Sequence, residues 1–454
     1  MALMVKAGPR YETLTTNGLS HLVEHMVFRG TRRHRSSTAI NAAIESLGGE
    51  VNGLTQRDAT TIHLTVPPAG AEAGLSLLGE ICIEPRLEGL EIEREVVIEE
   101  ILDTIDAAGF ENDLDTLSRQ RLWTGHPLGM PVAGPVSNVE KFTARQVKAQ
   151  FARTFVVENA VLVVAGPVDE TRMFAAAERA FGRMPRGKAL LDGPAPRVRE
   201  RAPIQVIDTE GSQVSVLVSF PAPHENHPDF AALLLLRRVL DDGLSSRLRQ
   251  AVCEQRGLAY SVSASVDVYG DAGAMDLDAT CAPKKLVVTV AQMLSTLKLL
   301  VEEGVSEGEL TRAKIRQKAE LEFGLDDPGE MAAWHGSSTL MGSPSSYGER
   351  LTQAQAVKAA DLDSMASSIF DPALAVLTVV GPAHPTAVAK LEHMLGRPAG
   401  STVWLNADEA STPSKEDEVE PLEMLDLAHW AAGKQPGSGR AQKKRATAAK
   451  RRVR

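Results

Sequence analysis

Along residues 61–66 polar and apolar positions alternate one by one, the period of a strand with one covered face, and 50–56 and 60–66 read as strands. Arg57-Asp58 stands between the two runs, so the pair predicts a β-hairpin. Helical stretches surround it. Asn17 or Thr16 caps one that runs to about Phe28, and Ser36-Ser37 caps another that ends at Gly48-Gly49. Residues 71–83 and 89–124 read as helical stretches after the hairpin. Helices mixed with alternating strands predict an α+β domain.

A second pattern is a repeat. The apolar run 161–165 ends in Gly166-Pro167 and leads into an Ala-rich helical stretch that closes at Phe181-Gly-Arg183. Residues 376–380 do the same: Gly381-Pro382 follows, and the helical stretch closes at Leu395-Gly-Arg397. Strand, Gly-Pro turn, helix and Gly-Arg exit in one order predict two tandem copies of one α+β domain. A Pro-, Gly- and Arg-rich segment, 187–203, has no apolar period and reads as the linker. The domains are therefore placed at 1–190 and 204–399, joined by 191–203. From 400 the composition turns acidic and then basic with few apolar residues, which predicts a disordered tail over 400–454.

Composition narrows the class. Of 454 residues, 43% are apolar and 24% charged, enough to build sizeable cores and too apolar for a disordered chain. A net charge of -10 gives no overall affinity for nucleic acid or anionic membranes, and basic residues concentrate only in the last twenty or so. The longest apolar runs fall far short of the roughly 18 residues that cross a bilayer. No charged leader precedes an apolar segment at the start, and three unpaired cysteines suit a reducing compartment. Those features point to the cytoplasm, or to the periplasm if the N-terminus is incomplete.

Chemistry enters with His21-Leu-Val-Glu24-His25 on the first helix. Positions i and i+4 lie one above the other, so both imidazoles can reach one metal ion. Glu24, on the same face, can accept a proton from a water acidified by that metal. A third ligand is needed. Glu93 and Glu100 lie two turns apart on one face of a later helix, so one can ligate while the other holds a histidine or the water in place.

Taken together, several segments resemble the M16 family of zinc peptidases, the inverted-motif enzymes of the pitrilysin and mitochondrial processing peptidase type. They are Gly8-Pro-Arg-Tyr-Glu12, Asn17-Gly18, His21–His25 running on to Thr31, Asn52 with Thr55, Asp58 and Thr60, and Glu93-Arg94 leading to Glu100. The resemblance extends from Lys6 to about Pro398. It implies the LuxS/MPP-like metallohydrolase fold in duplicate and one zinc per chain, bound by His21, His25 and Glu100, with Glu24 as general base and Glu93 supporting the site from behind. It also implies that a peptide substrate adds as a strand beside Asn52, Gly53, Leu54 and Thr55. Two histidines and a carboxylate suit zinc and also admit manganese or cobalt.

The second copy has no such metal motif. Residues 244–248 and 257–262 are similar to the family's other signature, in which an arginine seven residues before a tyrosine completes a pair that helps stabilise the tetrahedral intermediate. Tyr260 is present; Cys253 occupies the arginine's position, and Arg249 and Arg256 are out of step. Either Arg256 takes over, or a second subunit supplies the Arg/Tyr pair. The reading is a zinc endopeptidase acting on unfolded or presequence-like peptides inside a dimeric chamber, as a heterodimer in preference to a homodimer. The alternative is a catalytically silent scaffold subunit.

Overall fold

A computed structural model describes residues 1–106, 109–198, 200–343, 345–406, 427 and 430–431. The first half runs β1 (Ala2–Val5), α1 (Leu19–Val27), α2 (Ser37–Glu45), β2 (Glu50–Thr55), β3 (Thr60–Thr65), α3 (Ala71–Ile83) and α4 (Leu90–Leu102). It continues with α5 (Leu114–Leu122), the single turn α6 (Val136–Val139), α7 (Ala144–Thr154), β4 (Ala160–Val163) and α8 (Glu170–Phe181). The second half opens with β5 (Gln205–Ile207), β6 (Val214–Ala222) and α9 (Phe230–Leu240), and a π-helical turn, Arg249–Glu254, precedes β7 (Ala259–Val268) and β8 (Gly273–Cys281). Five helices follow: α10 (Leu286–Glu303), α11 (Glu307–Gly324), α12 (Pro328–Leu340), α13 (Tyr347–Ala356) and α14 (Ala359–Ile369). The half closes with β9 (Val376–Val380), α15 (Pro385–Met394) and β10 (Val403–Trp404).

The duplication is visible in the sheets. The first orders its strands β2-β3-β1-β4 and the second β10-β5-β9-β6-β8-β7, so β7-β8-β6-β9 repeats β2-β3-β1-β4 strand for strand. Both are mainly antiparallel, with β5 parallel to β9 and β10 parallel to β5. Each half has its own apolar core. The halves also trade a helix: α5 packs on β6 and β9 of the second half, while α12 packs on β1 and β4 of the first. A small shared core, including Trp123, Leu128, Tyr269 and Val376, seals the exchange.

Several expectations are corrected. The first helix is not capped by Asn17 or Thr16; its N-cap is Gly18, and the Glu12 carboxylate accepts from the Gly18 and Ser20 amides at 2.9 and 2.7 Å. Asn17 turns its amide to Glu12 and to the Pro131 carbonyl instead. The stretch 89–124 is two helices, because Asp113 accepts from the Thr116 amide and starts α5 afresh. Residues 401–406 do not belong to a disordered tail: Val403–Trp404 pairs with Gln205 and Val206, and Glu392 accepts from the Gly400 and Thr402 amides. Leu427 and Ala431 are buried. The rest of the expected tail lies outside the described residues. Among the described residues no helix is long and apolar enough to cross a membrane.

Candidate metal centre

The centre is built by two helices and a strand of the first half. In α1, Leu22, Val23, Met26 and Val27 go into the core, which leaves His21, Glu24 and His25 along one side of the helix. The start of α1 is fixed by Glu12 and by Gly18, whose backbone sits at φ +97°; a Cβ there would meet the Ala133 carbonyl oxygen at 2.3 Å. In α4, buried Val97 and Ile101 turn Glu93 and Glu100 toward α1.

Glu100 spans the two imidazoles, one carboxylate oxygen 3.5 Å from His21 Nε2 and the other 3.4 Å from His25 Nε2. One ligand atom from each of His21, His25 and Glu100 lies within 4.8 Å of the others, the one such group among the described residues. A tetrahedral zinc with arms of about 2.1 Å has edges of about 3.4 Å, close to the two histidine–Glu100 separations, and two imidazoles with a carboxylate are a donor set that zinc takes. Glu100 is 53% exposed in its side chain, so the group opens to solvent.

Behind the ligand atoms, Glu93 lies 3.2 Å from His25 Nδ1 and takes Arg29 at 3.0 Å on its other oxygen. With Nδ1 donating to Glu93, the Nε2 lone pair of His25 is free to bind a metal. Burial alone would lower the pKa of His25, but Glu100 and Glu93 outweigh it and raise it to about 9. The same hydrogen bonds from His21 and His25 hold Glu100 well below the usual carboxylate range. His21 Nδ1 is buried without a partner, so that ring is oriented by packing and by Glu100 at Nε2, with no second carboxylate behind it.

Glu24 is 8% exposed and accepts from the Thr55 hydroxyl at 3.0 Å, across from the end of β2. Its other oxygen lies over Gly53, where a Cβ would come within 2.3 Å of it. Thr55, expected only beside substrate, is thus a direct partner of Glu24, and Gly53 is what lets the strand approach. β2 is the sheet's edge, with Asn52 and Leu54 facing outward, so its backbone can pair with an added strand. Arg29 escaped the sequence reading; its one signal was its place one turn after His25.

Tyr260 is not brought to this group. It stands at an irregularity at the start of edge strand β7, 92% exposed, its hydroxyl without a partner among the described residues. Cys253 does sit beside it, Sγ 3.9 Å from the Tyr260 carbonyl, so position 253 adjoins Tyr260 as the signature requires. Arg249 faces Glu254, and Arg256 is exposed.

Comparisons with known proteins bear on the family and the fold. Residues 1–136 match the family model described as insulinase (peptidase family M16), and 141–317 match the peptidase M16 inactive domain. A protein of Mycobacterium leprae named as an uncharacterized zinc protease is 30% identical over 353 residues, covering 75% of this chain and 77% of its own. A Mycobacterium tuberculosis protein of the same description is 29% identical, with 82% and 85% covered. The crystal structure of a protease from Helicobacter pylori superposes with a TM-score of 0.77 at 20% identity, covering 84% of this chain and 94% of that one. With both halves matched in order and the fold duplicated as described, the chain belongs to the M16 family of zinc peptidases.

Proposed function

We propose that the chain is a zinc-dependent endopeptidase whose metal is held by His21, His25 and Glu100. The observation that carries this is the convergence of those three ligand atoms within 4.8 Å, with the Glu24 carboxylate held on the same helix by Thr55. A zinc ion there supplies Lewis-acid chemistry, acidifying a water and polarising a carbonyl oxygen. Glu24 takes the water's proton and later returns it to the departing amine nitrogen, the double duty of a general base and acid. Thr55 fixes the rotamer of Glu24, and Glu93, braced by Arg29, fixes the ring of His25. The peptide backbone pairs along the open edge of β2, which selects extended, unfolded chains over folded ones.

A second subunit completes the site in this reading. Tyr260 faces solvent and Cys253 offers no guanidinium, so charge developing on the substrate's carbonyl oxygen lacks the family's Arg/Tyr pair from this chain. A partner M16-type subunit supplies it and closes a chamber around the peptide; a homodimer is the next arrangement. The Cys253 departure also favours, as second reading, a silent scaffold subunit. Metal analysis and cleavage of a quenched fluorescent peptide separate these. The chain binds one zinc, and Glu24→Gln keeps the metal while cleavage falls by about 10²–10⁴. A zinc-loaded protein that cuts neither alone nor with candidate partners leaves the scaffold, and absence of bound metal overturns the peptidase reading.

A further inference from the structure

The other face of the first sheet carries a cavity with a charge problem. Thr61, His63 and Thr65 of β3 point away from buried Ile62 and Leu64. Between that face, α12 and the end of β7 lies a cavity of about 860 Å³. Its walls include five carboxylates, Asp58, Asp115, Glu225, Asp267 and Glu330, and the rings of Tyr269 and Trp334.

Three of these acids are satisfied within the protein, Glu225 by Arg350 at 2.7 Å. Asp115 pairs with Arg57 at 2.6 Å and Arg119 at 3.2 Å; Asp267 takes Arg119 at 3.2 Å and the Tyr269 hydroxyl at 2.6 Å. Asp58 is 6% exposed, yet no described residue gives it a hydrogen bond or an ion pair. Of the cations near it, Arg57 is taken by Asp115 and the Leu128 and Met130 carbonyls and Lys6 by Asp192; Arg10 gives one nitrogen to Asp271 and lies 3.3 Å from Asp192, and its Nε and Nη1 make no hydrogen bond, so it balances Asp58 only through space. An unpaired buried carboxylate is costly. Burial, with Asp267 and Asp192 nearby, pushes Asp58 up to about 7 against the pull of Arg10 and Lys6.

We propose that this cavity binds an organic cation, a guanidinium or primary ammonium on an aliphatic stem, with Asp58 as its counter-charge, Glu330 as a second carboxylate and the Trp334 and Tyr269 rings against the stem. A bare metal ion is the poorer occupant. Among the described residues three metal-ligating atoms converge only at His21, His25 and Glu100, whereas the volume here is that of a small-molecule pocket. Aromatic rings beside carboxylates are what a cation with an apolar stem needs. The proposal does not depend on the peptidase reading, because the cavity lies behind the sheet from α1.

Calorimetric titration of the full chain tests it, in the Glu24→Gln background so that peptides stay whole. One arm uses agmatine, the other an end-blocked peptide with a single arginine; butylurea and the same peptide with citrulline are the neutral controls. At least one cation binds with submillimolar affinity and its control does not. Asp58→Asn weakens binding at least tenfold and Glu330→Gln about threefold. Agmatine alone identifies a free small molecule, and the peptide alone identifies a side chain presented by a longer chain. Silence from both cations, or equal affinity in Asp58→Asn, overturns the proposal. If Asp58→Asn does not fold, unchanged affinity in Glu330→Gln together with equal binding of the neutral control overturns it. Chelated protein binds as well as metal-loaded protein, so a failed zinc reading leaves this result intact.

Discussion

His25 has a carboxylate at each ring nitrogen, whereas His21 has one only at Nε2. The difference makes Glu93 the residue that sets how the pair presents itself to a metal. Glu93→Gln keeps the shape but can turn its amide nitrogen to His25, losing control of the tautomer; zinc affinity falls about 10–100-fold, read by competition with a chelator, while the melting temperature holds. Asp58 gives a prediction of the opposite kind. Its folded pKa of about 7 lies above the ordinary 3.8, so the folded protein holds a proton that the unfolded chain releases. The burden is absent below pH 4, grows as pH rises to 7, and is constant above. Asp58→Asn therefore matches the parent protein at low pH and is more stable by about 4 kcal/mol at pH 8 without ligand, as denaturant midpoints across pH will show.

Helix α1 carries three of the site's side chains, and its start is held from outside by Glu12, buried and accepting from the Gly18 and Ser20 amides and from Asn17. Burial raises the pKa of Glu12 in spite of those bonds. Glu12→Ala strands buried donors at the first turn, so stability falls by about 2–3 kcal/mol and zinc affinity drops with it, measured by unfolding and metal titration on one sample. No helix signal pointed to Glu12, because the cap is made across a loop rather than at the capping position. What the sequence did show follows from local periods. The hairpin appears at Glu50–Thr55 and Thr60–Thr65 because the alternation along 61–66 is a property of neighbours, and the histidine pair was legible because i and i+4 face the same way. The break before α5 has a local signal, the Asp113 cap, that the reading passed over, whereas the contact of Thr55 with Glu24 depends on the fold around it. So does the exchange of α5 and α12, since Arg119 of α5 finds Asp276 only across 157 residues of chain.

That exchange makes the two halves one unit. Arg119, nearly fully buried, reaches Asp276 of β8 and Asp267 of β7, and the Ser118 and Ser219 hydroxyls meet at 2.6 Å beside Asp276. Arg10, just ahead of α1, reaches Asp271 in the turn between β7 and β8. The same β7 that anchors the first half at its far end thus carries Tyr260 at its start, and the half without a metal motif supports the half that has one. Support differs from chemistry, and position 253 separates them. Cys253 is partly exposed and burial raises its pKa, so it brings neither a cation nor a ready thiolate to Tyr260. Cys253→Arg puts a guanidinium there, at a position that is only partly buried. If a partner subunit supplies the Arg/Tyr pair, cleavage by the paired enzyme stays within about twofold of the parent, and that is the expected result. A rise of about 10²-fold in the substituted chain alone, the size of one oxyanion donor, would instead show that its own Tyr260 reaches the substrate. The comparison needs only two samples and a matched zinc content, and it decides whether one chain or two make the enzyme.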